Sequence, residues 1–298
     1  MNLFKESEEI VTFKVEAKDK LERFLSSKDI SGRLFRKLYK KKHIYVNGLE
    51  ASRNERLAKD DIVSLYMEAE KNEFELEAID LDVLYEDFDL LILNKAPYIV
   101  VHPTKSHESG TLANGIAHYF NKKGIDRKIR FVNRLDMNTS GILIVAKNAF
   151  AHQQISLQFE NNSVEKKYKA LVEHRVGEDQ GIIESDLSKK SGDIKSSIDR
   201  EEGDTLTKYT VIERYPDASM LDIRLYTGKT HQIRVHLKSI GHPIIGDSLY
   251  GEESAYIDRQ ALQSYYLKIK NPRSGEPIEL SIDMPDDFKK LISHLKNM

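Results

Sequence analysis

Asn133-Arg134-Leu135-Asp136-Met137-Asn138-Thr139-Ser140-Gly141 runs directly into Ile142-Leu143-Ile144-Val145-Ala146. The second half is an unbroken apolar run, the pattern of a strand buried on both faces. The first half is small and polar, as a loop at a strand's mouth is. Asp136 stands in that loop, so the stretch predicts a carboxylate held at a sheet edge and still reachable by a ligand. Taken alone, an aspartate beside Thr-Ser-Gly is more often a turn or cap residue. Other segments must carry the reading further.

Two of them do. Lys166-Lys167-Tyr168-Lys169-Ala170-Leu171-Val172 alternates as a strand, with Tyr168, Ala170 and Val172 on one face and lysines on the other. Thr227-Gly228-Lys229-Thr230-His231-Gln232-Ile233-Arg234-Val235-His236-Leu237 predicts a helix capped by Thr230, with Ile233, Leu237 and Ile240 as its apolar stripe and Gly241 and Pro243 at its end. His231, Arg234 and Lys238 then form a cationic strip on that helix. A metal pair is not indicated, because His231 and His236 lie about 140° apart around a helix and cannot chelate as residues four apart do.

Between and around these segments the pattern is strand-rich. Strands are predicted at 83–85, 90–93, 167–173, 181–184, 205–214 and 220–226, and helices at 110–119 and 149–159. Residues 187–204, rich in Ser, Lys, Asp and Gly, are predicted to be a mobile loop. Many strands with few helices between them point to an α+β fold with a mixed, largely antiparallel sheet and flanking helices.

The length of 298 residues suits about two domains. Cysteine is absent, which removes disulfides, thiol nucleophiles and cysteine-bound zinc and fits a cytoplasmic location. No apolar run approaches the ~20 residues of a membrane span, and residues 1–9 are acidic without a signal core. Net charge is −2, unevenly spread: residues 14–59 hold 14 Lys and Arg against 6 Asp and Glu. A basic module on an acidic remainder suits docking on a polyanion. That module spans 11–70, followed by a Glu-rich linker and a second domain at 81–298. It reads as a helix at 20–26, a second helix capped by Ser31 with Leu34, Phe35 and Leu38 inward, a strand at 43–46, an Asn47-Gly48 hairpin turn and a strand at 62–66. Arg33, Arg36, Lys37, Lys40 and Lys41 form the cationic side of the second helix and its exit. This small unit resembles the S4-type RNA-binding domain, which implies that those five side chains meet RNA phosphates.

The three segments of the larger domain, in this order, resemble the RluA/RluD family of pseudouridine synthases. The matching elements are Arg134-Leu135-Asp136-x-x-Thr139-Ser140-Gly141, Lys166-x-Tyr168-x-Ala170 and the run 227–237, continued by Gly241-His242-Pro243-Ile244-Ile245-Gly246-Asp247 and Tyr250-Gly251. Asn133 and Gln263 stand where the family usually has His, and Ala96 and Tyr98 where Pro and Gly are usual. The resemblance implies a cofactor-free, metal-free isomerisation of uridine in structured RNA, with Asp136, Tyr168 and Arg234 catalytic. Asp136 would attack sugar or base, or stabilise an oxocarbenium-like or glycal species. Arg234 would pair with it, Tyr168 would stack on the detached uracil, Leu237 would wall the base, and Arg134 would fill the vacated stack. Thr139, Lys229, His231 and Gln232 complete the implied RNA-binding set. The implied partner is large-subunit ribosomal RNA, or alternatively transfer RNA, acted on by a monomer in the cytoplasm. A non-catalytic ribosome-associated RNA-binding protein would explain the basic module but not the Asp136, Tyr168 and Arg234 set. A glycoside hydrolase would need a second carboxylate flanking the bond, and the neighbourhood of Asp136 in sequence supplies none.

Overall fold

The computed structural model describes residues 2–188 and 196–298, with the backbone alone at 188 and 198–202. The first unit contains β1 (Ile10–Lys14), β2 (Asp19–Lys20), α1 (Leu21–Ser27), α2 (Gly32–Lys40), β3 (Ile44–Val46), β4 (Leu49–Glu50), β5 (Arg56–Leu57) and β6 (Ile62–Tyr66). The second continues with β7 (Asp82–Glu86), β8 (Leu90–Lys95), α3 (Leu112–Lys123), β9 (Arg130–Phe131), β10 (Ser140–Ala146), α4 (Ala149–Glu160), β11 (Glu165–Glu173) and β12 (Gln180–Ser188). It ends with β13 (Ser197–Arg214), β14 (Ala218–Leu225), α5 (Gln232–Ser239), β15 (Leu262–Lys270), β16 (Pro277–Ser281) and α6 (Asp286–Lys296). No described helix is long and apolar enough to cross a membrane.

In the first unit, β1, β6, β3 and β4 form an antiparallel sheet. The Ser31 hydroxyl caps α2 by accepting the Leu34 N–H at 3.2 Å. Leu34, Phe35 and Leu38 turn inward with Leu21, Phe24 and Leu25 of α1. Asn47 and Gly48 both have positive φ, 50° and 81°, as the tight turn between β3 and β4 requires. This unit is joined to the second one. Phe150 of α4 completes its core, edge-on to Phe13 at 6.1 Å. The buried Arg127 guanidinium donates to the carbonyls of Met67, Glu68 and Glu8 at 2.7–2.8 Å.

The large sheet has the order β12-β13-β14-β11-β15-β10-β8-β7, with β16 added on β15 and β9 on β10. All pairings are antiparallel except β10 with β15. Strand β10 is buried along its whole length. Leu143 and Val145 enter one core with α3, α5 and α6, while Ile142, Ile144 and Ala146 enter the other with α4. Period-two alternation with both faces covered explains why this strand is apolar from Ile142 to Ala146.

Three expectations change. The segment 187–204 is largely strand, since Leu187 pairs with Ile198 and Ser188 with Ser197, ladder partners supplying order that composition does not reveal; its middle, 189–195, lies outside the described residues. Helix α5 starts one residue later than predicted, with His231 in the left-handed region as its N-cap. Ile240 is 37% exposed rather than part of the stripe, because the helix ends before it. Strands β15 and β16 and helix α6 were not foreseen.

Gly141 has φ +119°, and a Cβ there would lie 2.1 Å from the Ser264 carbonyl oxygen of β15. Gly141→Ala is therefore expected to lower stability by about 3 kcal/mol or more, from backbone strain plus a contact that cannot relax. Urea unfolding followed by circular dichroism checks this; an unchanged midpoint would show that β10 and β15 can separate freely here.

Candidate active site

Asp136 sits in the loop between β9 and β10, and Thr139 N–H closes a turn onto its carbonyl at 3.1 Å. The loop is fixed from inside the protein by two buried cations. Lys95 Nζ, at the end of β8, donates to the carbonyls of Met137 (2.8 Å), Ala96 (2.8 Å) and Ile99 (3.1 Å). Burial and the nearby Arg259 push the Lys95 ammonium down to about 7, against the pull of Asp136. Arg259 donates to the Asn138 carbonyl at 3.2 Å while its fork grips Asp287 at 2.7 and 3.0 Å.

Helix α5 delivers the counter-charge. Arg234 Nη1 donates to Asp136 Oδ2 at 2.9 Å, and its Nε and Nη2 donate to the two oxygens of Asp247 at 2.7 Å each. Burial opposes the guanidinium's charge, but hydrogen bonds and charge from Asp247 and Asp136 outweigh it and hold its pKa above the ordinary value. His231 Nε2 lies 3.8 Å from Asp136 Oδ2, and its Nδ1 is 2.9 Å from the Tyr250 hydroxyl. The cationic strip expected on this helix is not a surface feature: Arg234 is buried and turned to carboxylates.

Above the carboxylate opens a cleft of about 830 Å³, large enough for a nucleotide with its neighbours. Asp136, Tyr168, Arg134, Lys229 and His231 line it, as do His102, Lys166, Arg224 and Tyr226, which sequence reasoning did not select. Tyr168 is 4% exposed, on the inward face of β11 as its alternation predicts, with Lys166 Nζ 5.3 Å from the ring centre. His102 meets Phe131 edge-on at 4.4 Å, and burial together with Arg134 lowers its pKa.

Other expected contact residues lie outside the cleft lining. Leu237 is fully buried in the core. Thr139 accepts a hydrogen bond from Gln260 at 3.1 Å. The Gln232 amide is consumed by Thr227, the Lys229 N–H, the Leu206 carbonyl and Thr207. Gln232 thereby fixes the 227–229 loop, which lines the cleft. On α2, Arg33, Arg36 and Lys40 are exposed and have no carboxylate partner among the described residues, whereas Lys37 pairs with Glu70 and Lys41 with Glu68. Asp247, Tyr250, Lys95 and Arg259 were not selected from sequence. The available signals were the motif continuation that holds Asp247 and Tyr250 and, for Lys95, a lysine closing the apolar run of β8.

Comparison with known proteins decides what this site belongs to. The family model described as RNA pseudouridylate synthase matches residues 89–239, which hold Asp136, Tyr168 and Arg234. The RNA pseudouridine synthase YlyB of Bacillus subtilis is 35% identical over 93% of this chain and 94% of its own length. The chain belongs to the RNA pseudouridylate synthase family. Within it, a pseudouridine synthase of Aquifex aeolicus is 35% identical over 97% of this chain and 98% of its own. The ribosomal large subunit pseudouridine synthase D of Haemophilus ducreyi is 31% identical over 76% of this chain and 74% of its own length. Among solved structures, human RNA pseudouridylate synthase domain containing 4 shares the fold, with a TM-score of 0.60 at 21% identity over 72% of this chain and 93% of that one. As a member, the protein is a pseudouridine synthase, an isomerase acting on RNA.

In this pseudouridine synthase the site helix is tied to the long β12–β13 hairpin by His236. It is wholly buried, with Nε2 2.8 Å from the Ser185 hydroxyl and 3.1 Å from that of Thr205. Burial drives its pKa down from 6.5 to about 4. A folded-state value below the unfolded one means that the unfolded chain binds the extra proton first, so stability is lost as pH falls from 6.5 towards 4. His236→Asn is expected to flatten that part of the Tm-against-pH curve. The same slope in the variant would assign it to other groups.

Proposed function

We propose that this pseudouridine synthase acts on large-subunit ribosomal RNA, with Asp136 as the carboxylate that opens and re-forms the glycosidic linkage. The observation that carries the assignment is the Arg234–Asp136 pair at 2.9 Å on the wall of a cleft that Tyr168 also lines. In the reaction the N1–C1′ bond breaks, the uracil turns, C5 joins C1′, the C5 proton leaves and N1 gains one. Nothing is oxidised and no water is consumed, so the protein must supply stabilisation of an electron-poor sugar carbon and retention of a loose base. A carboxylate whose counter-ion is already fixed meets the first need without reorganising during the reaction. The Tyr168 ring on β11 meets the second by stacking on the free uracil.

A uridine within a folded RNA must be extruded to reach Asp136, at a cost of a few kcal/mol. Arg134, on the same loop, offsets part of this by filling the gap with its planar cation. The first unit, 11–70, is read as an S4-type RNA-binding domain beside a catalytic domain at 81–298. Its free cations Arg33, Arg36 and Lys40 take the phosphates, Lys37 and Lys41 being engaged by Glu70 and Glu68. Ribosomal RNA as substrate is supported by relatives named ribosomal large subunit pseudouridine synthase D, 31–34% identical to this chain. The enzyme is taken to work as a monomer in the cytoplasm.

Asp136→Asn is expected to reduce pseudouridine formation by at least about a thousandfold while RNA affinity stays within a few-fold of wild type. Mass-spectrometric pseudouridine mapping of ribosomal and transfer RNA, with and without the protein, reads both site and substrate. Retained turnover in the variant would sink the catalytic assignment, and modification confined to transfer RNA would replace the substrate.

A further inference from the structure

We propose that Asp247 and Tyr250 are positioning residues of the reaction: Asp247 aims Arg234 at Asp136, and Tyr250 holds His231 beside it. The inference rests on the reading of Asp136 as the reacting carboxylate. Asp247 is 1% exposed, so it meets neither RNA nor solvent. Its two oxygens take the Nε and Nη2 of Arg234 at 2.7 Å each, the parallel two-bond arrangement that fixes a guanidinium in its own plane. With those two nitrogens held, only Nη1 is left to point outward, and it points at Asp136 Oδ2. A single arginine between two carboxylates leaves the cluster an excess negative charge. Charge balance alone therefore does not call for Asp247; fixed direction does.

The same carboxylate builds the second contact. Asp247 Oδ1 also accepts the N–H groups of Leu249 and Tyr250 at 3.1 and 3.2 Å, closing the turn that presents Tyr250. The ring of Tyr250 lies 5.1 Å from the Arg234 guanidinium carbon. Its hydroxyl accepts the Ser196 N–H at 2.7 Å and lies at hydrogen-bond distance, 2.9 Å, from His231 Nδ1. With Nδ1 held by that contact, Nε2 is the ring nitrogen that faces Asp136, at 3.8 Å. His231 holds φ +59° to do this, a strained backbone for a residue with a side chain and one that collects at working sites. Gly246, the residue before Asp247, has no room for a side chain: a Cβ there would lie 2.5 Å from the Arg259 carbonyl oxygen.

The test compares full-length wild type, D247N and Y250F on transcribed ribosomal RNA. Asparagine keeps the size of Asp247 and an oxygen for its turn but loses the two-point grip, and phenylalanine keeps the Tyr250 ring. The kcat is expected to fall on the order of a hundredfold in D247N and about tenfold in Y250F, with KM within about twofold of wild type. Wild-type kcat in folded D247N, or a loss carried wholly by KM, overturns the proposal. Should D247N not fold, wild-type kcat in Y250F overturns it instead. A wild-type protein that makes no pseudouridine refutes the underlying reading and not the clamp. The clamp is then judged by the Arg234 Nε–H resonance in 15N spectra, assigned by its loss in R234K. Slow exchange in wild type and fast exchange in D247N or Y250F supports it; equal protection overturns it.

Discussion

A guanidinium shared by two carboxylates organises this enzyme. Arg234 is 7% exposed, and removing such a charge from water costs several kcal/mol unless partners replace the lost hydration. Asp247 does so inside the protein and Asp136 does so at the cleft wall. An ion pair near 3–4 Å in a partly screened setting is worth about 4 kcal/mol, so the two contacts together offset the burial of one cation. Because Asp247 is itself buried, the arrangement cannot slide toward solvent, and the direction of the Arg234–Asp136 bond is set before any substrate arrives.

The loop that holds Asp136 faces the complementary problem, being short of regular backbone partners at a sheet edge. Lys95 and Arg259 supply them by binding the carbonyls of Met137 and Asn138 from below. Three cations thus converge on one small loop, two on its backbone and one on its carboxylate. Strand β10 anchors it through Gly141, where only a glycine allows the Ser264 carbonyl to come so close. Rigidity here suits the role proposed for Asp136, since a carboxylate that detaches and re-attaches a base gains nothing from freedom to wander.

The two units of the chain are connected by similar means. Arg127 satisfies three carbonyls of the first unit and Phe150 enters its core. Arg273 adds a bond to the Ile10 carbonyl while gripping Asp89. The face of α2 with Arg33, Arg36 and Lys40, which have no carboxylate partner among the described residues, is therefore carried at a fixed position relative to the cleft, and the Lys37 and Lys41 ammonium groups are spent on holding residues 68–70.

Periodicity made the inward faces of α2, β10 and β11 legible, because alternation and helical spacing are local properties of the chain. The residues proposed for the reaction, Asp136, Tyr168 and Arg234, stood out because they sit in long, specific motifs. Distance across the fold is another matter. Asp136 and Arg234 are 98 positions apart, and nothing in their spacing says that a parallel contact between β10 and β15 and a helix after β14 will bring them together. Sequence likewise placed Gln232 and Leu237 at the RNA, although packing turned both inward. It read 187–204 as a loop because polar composition cannot reveal a ladder partner. The chain by itself determined which chemical groups are present and which strands are buried. Only tertiary structure decided that Asp247 would face Arg234, since the pairing of buried charges depends on three-dimensional proximity that no local pattern encodes.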